Sequence, residues 1–164
     1  MSSLLSRNDF IAACHALREK GERIVFTNGC FDILHRGHVT YLEAAAALGD
    51  ALVVGVNSDA SIRRLKGESR PIVPEDDRAA IVAALRSVRY VTIFDEETPL
   101  ELIRAIQPDV LVKGGDYDPQ ATDGPRYIVG SDIVRREGGR VHVINLVEGR
   151  STTNIIERVL ATKE

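Results

Sequence analysis

Five short runs rich in Val and Ile recur along this chain, at residues 24–27, 51–56, 90–94, 110–112 and 141–144, and no other feature limits its fold as strongly. Each is too short for a buried helix and apolar at most positions rather than at alternate ones, as expected of a strand covered on both faces. Helical patterns separate the runs, at residues 39–48, 76–87, 99–106, 127–136 and 154–160. Strands that alternate with helices need crossover connections. The expected fold is therefore α/β, an open parallel sheet of about five strands with helices on both faces. The chain's 164 residues suit one domain, with residues 1–22 as an N-terminal helical extension.

Boundary residues agree with this pattern. Thr98-Pro99-Leu100-Glu101 combines a capping hydroxyl, a first-turn Pro and a Glu three residues on, and Pro108 stops that helix. Glu75, Asp76 and Asp77 place negative charge where a helix begins, as the macrodipole favours, and Arg86 lies near its end. Gly49 is expected to close the helix over 39–48 in a left-handed conformation. Residues 58–74 and 114–126 read as long irregular segments. Both follow strands, so they belong at the carboxyl edge of the sheet, where open α/β folds bind ligands.

Composition narrows the function. A formal charge of −3 argues against broad nucleic-acid binding while allowing a local basic pocket. Cys14 and Cys30 are too few for a disulfide framework or a four-cysteine zinc site, which favours a reducing, cytoplasmic setting. Arg7, Asn8 and Asp9 interrupt the opening apolar residues before a signal-peptide core forms, and no run of about 18 apolar residues follows to span a membrane.

The densest chemistry lies between the first strand and its helix. In His35-Arg36-Gly37-His38 the two histidines stand three apart at a helix start and share a face, while Gly37 lets the backbone approach a ligand closely. Unpaired N–H groups make a helix N-terminus an anion site, and imidazoles add donors to it. Taken alone, the tetrapeptide leaves capping, metal ligation and phosphate binding open, and metal ligation needs a third protein ligand. Its position after a strand and Gly29 favours phosphate. Upstream, Thr27 ends the strand, Gly29 permits a tight turn, and the N–H groups of Cys30 and Phe31 form a nest for phosphate oxygens. The Phe31 ring itself is expected in the core.

A second cluster, Gly149-Arg150-Ser151-Thr152-Thr153-Asn154, follows the last strand and opens the last helix. Capping alone would be met by Asn154 with Glu157 and needs one such residue, whereas Arg150 adds a fork matched to phosphate. A third, Lys113-Gly114-Gly115-Asp116-Tyr117, ends a strand with a lysine suited to phosphate and an aspartate suited to ribose, sugar hydroxyls or Mg²⁺. Arg63, Arg64, Lys66 and Arg70 form a basic cluster that is either a solvated face or a loop closing over an anion. Arg78 sits in a first helical turn, where the dipole opposes it, so it is a candidate for substrate phosphate or a subunit contact.

In order, Gly29-Cys30-Phe31-Asp32, His35-Arg36-Gly37-His38, Val56-Asn57-Ser58-Asp59, Lys113-Gly114-Gly115-Asp116-Tyr117 and Arg150-Ser151-Thr152-Thr153 resemble the cytidylyltransferase-like nucleotidyltransferases. The resemblance runs from about Arg23 to the end of the chain, and within the family it is strongest to the D-glycero-β-D-manno-heptose 1-phosphate adenylyltransferases of lipopolysaccharide synthesis. It implies a Rossmann-like fold and the reaction of ATP, carried with Mg²⁺, with a sugar phosphate to give ADP-heptose and pyrophosphate. Some members are fused to a sugar kinase domain, and many associate, so a homodimer is expected.

By the family pattern His35 and His38 contact the nucleotide phosphates, with Lys113 and Arg150 beside the triphosphate as further catalytic groups. Thr27, Gly29, Cys30, Phe31, Gly37, Asp116, Ser151, Thr152 and Thr153 bind nucleotide; Asp32, Asn57, Lys66, Arg78 and Gly115 lie on the substrate side. No protein metal ligands are implied. Many relatives carry Thr in place of Cys30, which costs a side-chain hydroxyl contact and leaves backbone binding intact. Rivals within the family use CTP with a polyol phosphate, or ATP with FMN or phosphopantetheine. A nucleotide-binding module without turnover is the rival from another class.

Overall fold

A computed structural model describes residues 3–147 and 149–162. Helix α1 (Arg7–Glu19) precedes strand β1 (Ile24–Gly29), followed by α2 (Arg36–Ala46), β2 (Ala51–Asn57), α3 (Asp59–Lys66) and α4 (Glu75–Ala83). Then come β3 (Tyr90–Phe94), α5 (Leu100–Ile106), β4 (Val110–Gly114), α6 (Ser131–Arg136), β5 (Arg140–Ile144) and α7 (Thr152–Ala161). The strands form one sheet in the order β3-β2-β1-β4-β5, and every pairing is parallel. This is the α/β, Rossmann-like architecture expected of the sequence. Its strand order turns back between β1 and β4, which opens a crevice at their carboxyl ends.

Successive side chains of each strand enter two separate cores. Ile24 and Phe26 of β1 pack with Phe10, Cys14 and Leu17 of α1 and with Leu102, Ile103 and Ile106 of α5. Val25 packs on the other face with Tyr41, Leu42 and Ala45 of α2 and with Ala79 and Val82 of α4. Helix α1 is thus a structural layer: Phe10 is fully buried, and covering it and Leu17 contributes about 1.5–3 kcal/mol each. Residues 3–5 lie along the edge of β3, with Leu5 N–H donating to Val91 O and Val91 N–H to Ser3 O.

Three local expectations are corrected. Residues 59–66 form α3 rather than an irregular loop, capped by Ser58, whose hydroxyl accepts from Ser61 N–H at 3.0 Å; the run of charges conceals a helix that buries Ser61 and Ile62. Thr98 does not cap α5, which starts after Pro99 with no side-chain cap. Gly49 is not left-handed, and α2 ends at Ala46 with Ala47 as its C-cap. Glycine is required there for space, because a Cβ would stand 2.6 Å from Val25 Cγ2 and 2.8 Å from Arg23 O. No helix among the described residues is long and apolar enough to cross a membrane.

Candidate active site

The β1–α2 connection is a turn built by its side chains. Phe31 adopts a positive φ of 48°, which turns the chain sharply and buries its ring. Arg78, placed by α4, donates from Nη1 to Cys30 O at 2.5 Å, from Nε to Val73 O and from Nη2 to Asp59 Oδ1 at 2.7 Å. Asp32 is buried and accepts from Arg70 Nε at 2.7 Å and from the N–H groups of Ile72 and Val73 at 2.9 Å each. Burial would raise the Asp32 carboxyl, but those N–H groups and the Arg70 guanidinium outweigh it and hold it below its ordinary range. The turn is therefore fixed from two sides by buried charge.

Helix α2 then begins with both histidines in an unusual capping box. His35 Nδ1 accepts from Gly37 N–H at 3.1 Å, and His38 Nδ1 accepts from His35 N–H at 3.4 Å. A ring nitrogen that accepts from a backbone N–H carries no proton, so in each neutral ring the proton sits on Nε2. The rings lie 4.0 Å apart between centroids. Burial, then the neighbouring charges of His35 and Lys66, lower His38 to about 4; burial and Arg150 lower His35. Near neutral pH both are uncharged Nε2–H donors. Capping and ligand binding, alternatives in the sequence, are compatible because they use different nitrogens.

Two neighbouring cavities, which share His38, Tyr41, Lys66 and Leu146, open over this entrance. The larger, about 480 Å³, lies at the carboxyl ends of β1 and β4 and is lined by Gly29, Cys30, Phe31, His38, Asn57 and Lys113, among others. Lys113 donates to Asn28 Oδ1 at 2.7 Å, and burial lowers its ammonium to about 8, opposed by a charge effect from Cys30. The smaller, about 220 Å³, gathers His35, Gly37, His38 and Lys66 with Arg150, Ser151, Thr152 and Thr153. Ser151 is the N-cap of α7 and accepts from Asn154 N–H at 3.1 Å, which makes it rather than Asn154 the cap. Gly37 is needed here, because a Cβ would stand 2.9 Å from His35 Nδ1 and 3.3 Å from Arg150 Cβ.

Some expected residues lie elsewhere. Arg78 is 1% exposed and fully engaged, so it faces neither substrate nor a second subunit; a helix-start arginine that the dipole disfavours is held by tertiary partners. Asp32 spends both oxygens on residues 70–73 and has none left for a substrate. Thr27 is buried and shares a hydrogen bond of 2.7 Å with Tyr41 Oη. Gly115 and Asp116 line neither cavity. Of the basic cluster, Lys66 and Arg70 line the smaller cavity, whereas Arg63 and Arg64 line neither; Asn28, Tyr41 and Leu146 also line these cavities, and the sequence reading does not pick them out. Tyr41 was accessible to sequence reasoning, since it lies three residues after His38 on the same helix face. Among the described residues, no group of three His, Cys, Asp or Glu side chains is placed to hold a metal.

The chain is 62% identical over 143 residues to the bifunctional protein HldE of Syntrophotalea carbinolica, covering 87% of this chain and 28% of that protein. It is 55% identical over 159 residues to the protein of the same name from Pelobacter propionicus, covering 97% and 31%. The chain thus spans less than a third of the length of these relatives. Among solved structures it resembles a lipopolysaccharide core biosynthesis protein of Thermoplasma volcanium, with a TM-score of 0.58 and 27% identity over 79% of this chain and all of that one. A pantoate–β-alanine ligase of Francisella tularensis shares the fold alone, with a TM-score of 0.63 at 12% identity, covering 100% of this chain and 79% of that one. The cytidylyltransferase-like family model matches residues 26–158, a span that holds both cavities' phosphate-suited motifs, and the chain belongs to that family.

Proposed function

We propose that this chain is a nucleotidyltransferase domain that transfers AMP from ATP to D-glycero-β-D-manno-heptose 1-phosphate, forming ADP-heptose and pyrophosphate. The observation that carries this reading is the pair of neutral Nε2–H donors at the entrance of α2, flanked by Lys66 and by Arg150 with the start of α7. Identity to proteins named HldE and likeness to the lipopolysaccharide core biosynthesis protein of Thermoplasma volcanium support the choice of acceptor. The reading treats residues 1–164 as one domain, of which Met1, Ser2, Glu148, Lys163 and Glu164 lie outside the described residues.

In this mechanism an oxygen of the sugar phosphate attacks the α-phosphorus of ATP in line. A P–O bond forms, the α–β bridging P–O bond breaks, and its electron pair leaves with pyrophosphate. The attacking phosphate is already ionised, so no general base is needed. His35 and His38 donate from Nε2 to the α-phosphate oxygens, where neutral donors stabilise developing charge without needing to lose a proton. Lys113 lies toward the nucleoside side of the phosphates and Arg150 beside the β- and γ-phosphates, with Ser151, Thr152 and Thr153 at the positive end of α7. The N–H groups of the Gly29–Phe31 turn and the Asn57 side chain complete the larger cavity. Mg²⁺, carried by ATP as part of the substrate, would neutralise triphosphate charge; Lys66, Arg150 and the two neutral imidazoles of the smaller cavity would meet the phosphate oxygens that it leaves free.

A cytoplasmic location follows from ATP as substrate, and a homodimer belongs to the same reading, supported by Val159 and Leu160, which are exposed on α7. Sedimentation at micromolar protein tests the dimer. The activity is tested by pyrophosphate release with ATP or CTP crossed with heptose 1-phosphate or glycerol 3-phosphate. Release with ATP and the heptose is expected. Preference for CTP would assign a different transferase, and nucleotide binding without release would assign a binding module.

A further inference from the structure

We propose that Arg70 binds the phosphate of the acceptor and that Asp32 is the residue that positions it, an inference that rests on the nucleotidyl-transfer reading above. Arg70 lines the smaller cavity together with Lys66 and both histidines. Its side chain is 15% exposed, and that of Asp32 is 1% exposed. Nε is committed to Asp32, while Nη1 and Nη2 have no partner among the described residues. Those two nitrogens remain as a fork for a ligand.

Asp32 holds more than the guanidinium. Its two oxygens also take the N–H groups of Ile72 and Val73, so the carboxylate fixes the backbone beyond Arg70 as well as the side chain. A cation anchored in this way loses little freedom when an anion arrives, which is the condition for strong binding by an arginine. The buried pair is thereby more than a structural device. It delivers a partly exposed fork to a cavity that holds the transferred phosphorus in the mechanism above.

The strand order says which phosphate. Lys66 and Arg70 follow β2, whereas Arg150 and Ser151–Thr153 follow β5, and β2 and β5 lie on opposite sides of the β1–β4 pair. The histidines stand between them at the end of β1. Electrostatics records the same division, since Lys66 is the cation acting on His38 and Arg150 the cation acting on His35. In-line displacement puts incoming and leaving oxygens on opposite sides of phosphorus, and both carry negative charge. With the start of α7 and Arg150 suited to the leaving pyrophosphate, the Lys66–Arg70 side takes the attacking phosphate.

Initial rates of pyrophosphate release by the parent and by Arg70→Gln, with each substrate varied in turn, test this. Removing a charge-assisted contact to the acceptor should raise KM for heptose 1-phosphate by about 10- to 100-fold, with KM for ATP within about threefold. Asp32→Asn should give the same signature, and the double variant no further loss, because the two act as one unit. An ATP KM that rises in step, or no change in either, overturns the proposal. Calorimetry with inorganic phosphate on the protein loaded with a non-hydrolysable ATP analogue separates this result from failure of the activity. Weaker phosphate binding in Arg70→Gln supports the subsite even if the parent releases no pyrophosphate from heptose 1-phosphate; equal binding, or none by the parent, overturns it.

Discussion

The two sides of the smaller cavity are built in opposite ways. On the side after β2, Arg78, Asp59, Asp32 and Arg70 form buried ion pairs that hold the Gly29–Asp32 turn against residues 70–73. On the side after β5, Arg150 is exposed, its guanidinium has no partner among the described residues, and α7 contributes no buried side chain. The first side spends charge on its own architecture and leaves only the tip of Arg70 for a ligand. The second leaves its charge free, where the proposed reading puts the β- and γ-phosphates. In the proposed transfer, a pocket that aligns the α-phosphorus and then releases pyrophosphate would benefit from one rigid side and one open side.

The strongest way to break this comparison is to exchange the expected phenotypes. Arg78→Met leaves Asp59 and Cys30 O without their partner and should cost about 3 kcal/mol or more in urea unfolding. Arg150→Ala should change stability by no more than about 0.5 kcal/mol and lower kcat by roughly 10² to 10³. If Arg150→Ala unfolded the protein and Arg78→Met did not, the division would be wrong. His38→Ala should lower turnover by a similar factor of about 10² to 10³, as for loss of one preorganised donor.

Gly37→Ala sharpens the meeting of the two sides. Alanine favours a helix interior by up to about 1 kcal/mol over glycine, so thermal unfolding should shift little or upward. The new Cβ meets His35 and Arg150, however, and displacement of the site should cut kcat by about tenfold or more. Unchanged kcat would show that the close approach of His35 and Arg150 to Gly37 is not needed. A smaller effect is expected with pH. His38 binds a proton less readily folded, at about 4, than unfolded, near 6.5. Its contribution to stability is therefore complete above about 6.5 and is lost as pH falls toward about 4. Unfolding of the parent and of His38→Asn across that window should differ in slope in that direction. Cys30→Thr should matter least, with kcat within about threefold, since the turn acts through its backbone and Thr is close to Cys in size.

Much of this architecture was legible in the chain. The strands could be located because a buried parallel strand must be apolar on both faces, and their alternation with helices implied the crossovers. The phosphate-suited motifs were equally visible, since glycine, histidine and hydroxyl clusters sit at strand ends. What was hidden depends on tertiary partners. Arg78 was recognisable as a residue that helix electrostatics did not explain, yet its role required knowing that Cys30 O and Asp59 lie against it. Asp32 and Thr27 looked available because a motif does not reveal that a carboxylate or hydroxyl is already occupied. Helix α3 was obscured by Arg63, Arg64 and Lys66, charges that belong to its exposed side and last turn.

The central claim is that each histidine caps with Nδ1 and meets phosphate with Nε2. Long-range ¹H–¹⁵N correlation spectra of the imidazoles, recorded near neutral pH with and without α,β-methylene-ATP, test it most directly. Both rings should be neutral with the proton on Nε2 in the free protein, and both Nε2 resonances should move when the nucleotide is added. Rings that carry the proton on Nδ1, or Nε2 signals that stay in place at saturating nucleotide, would contradict the account.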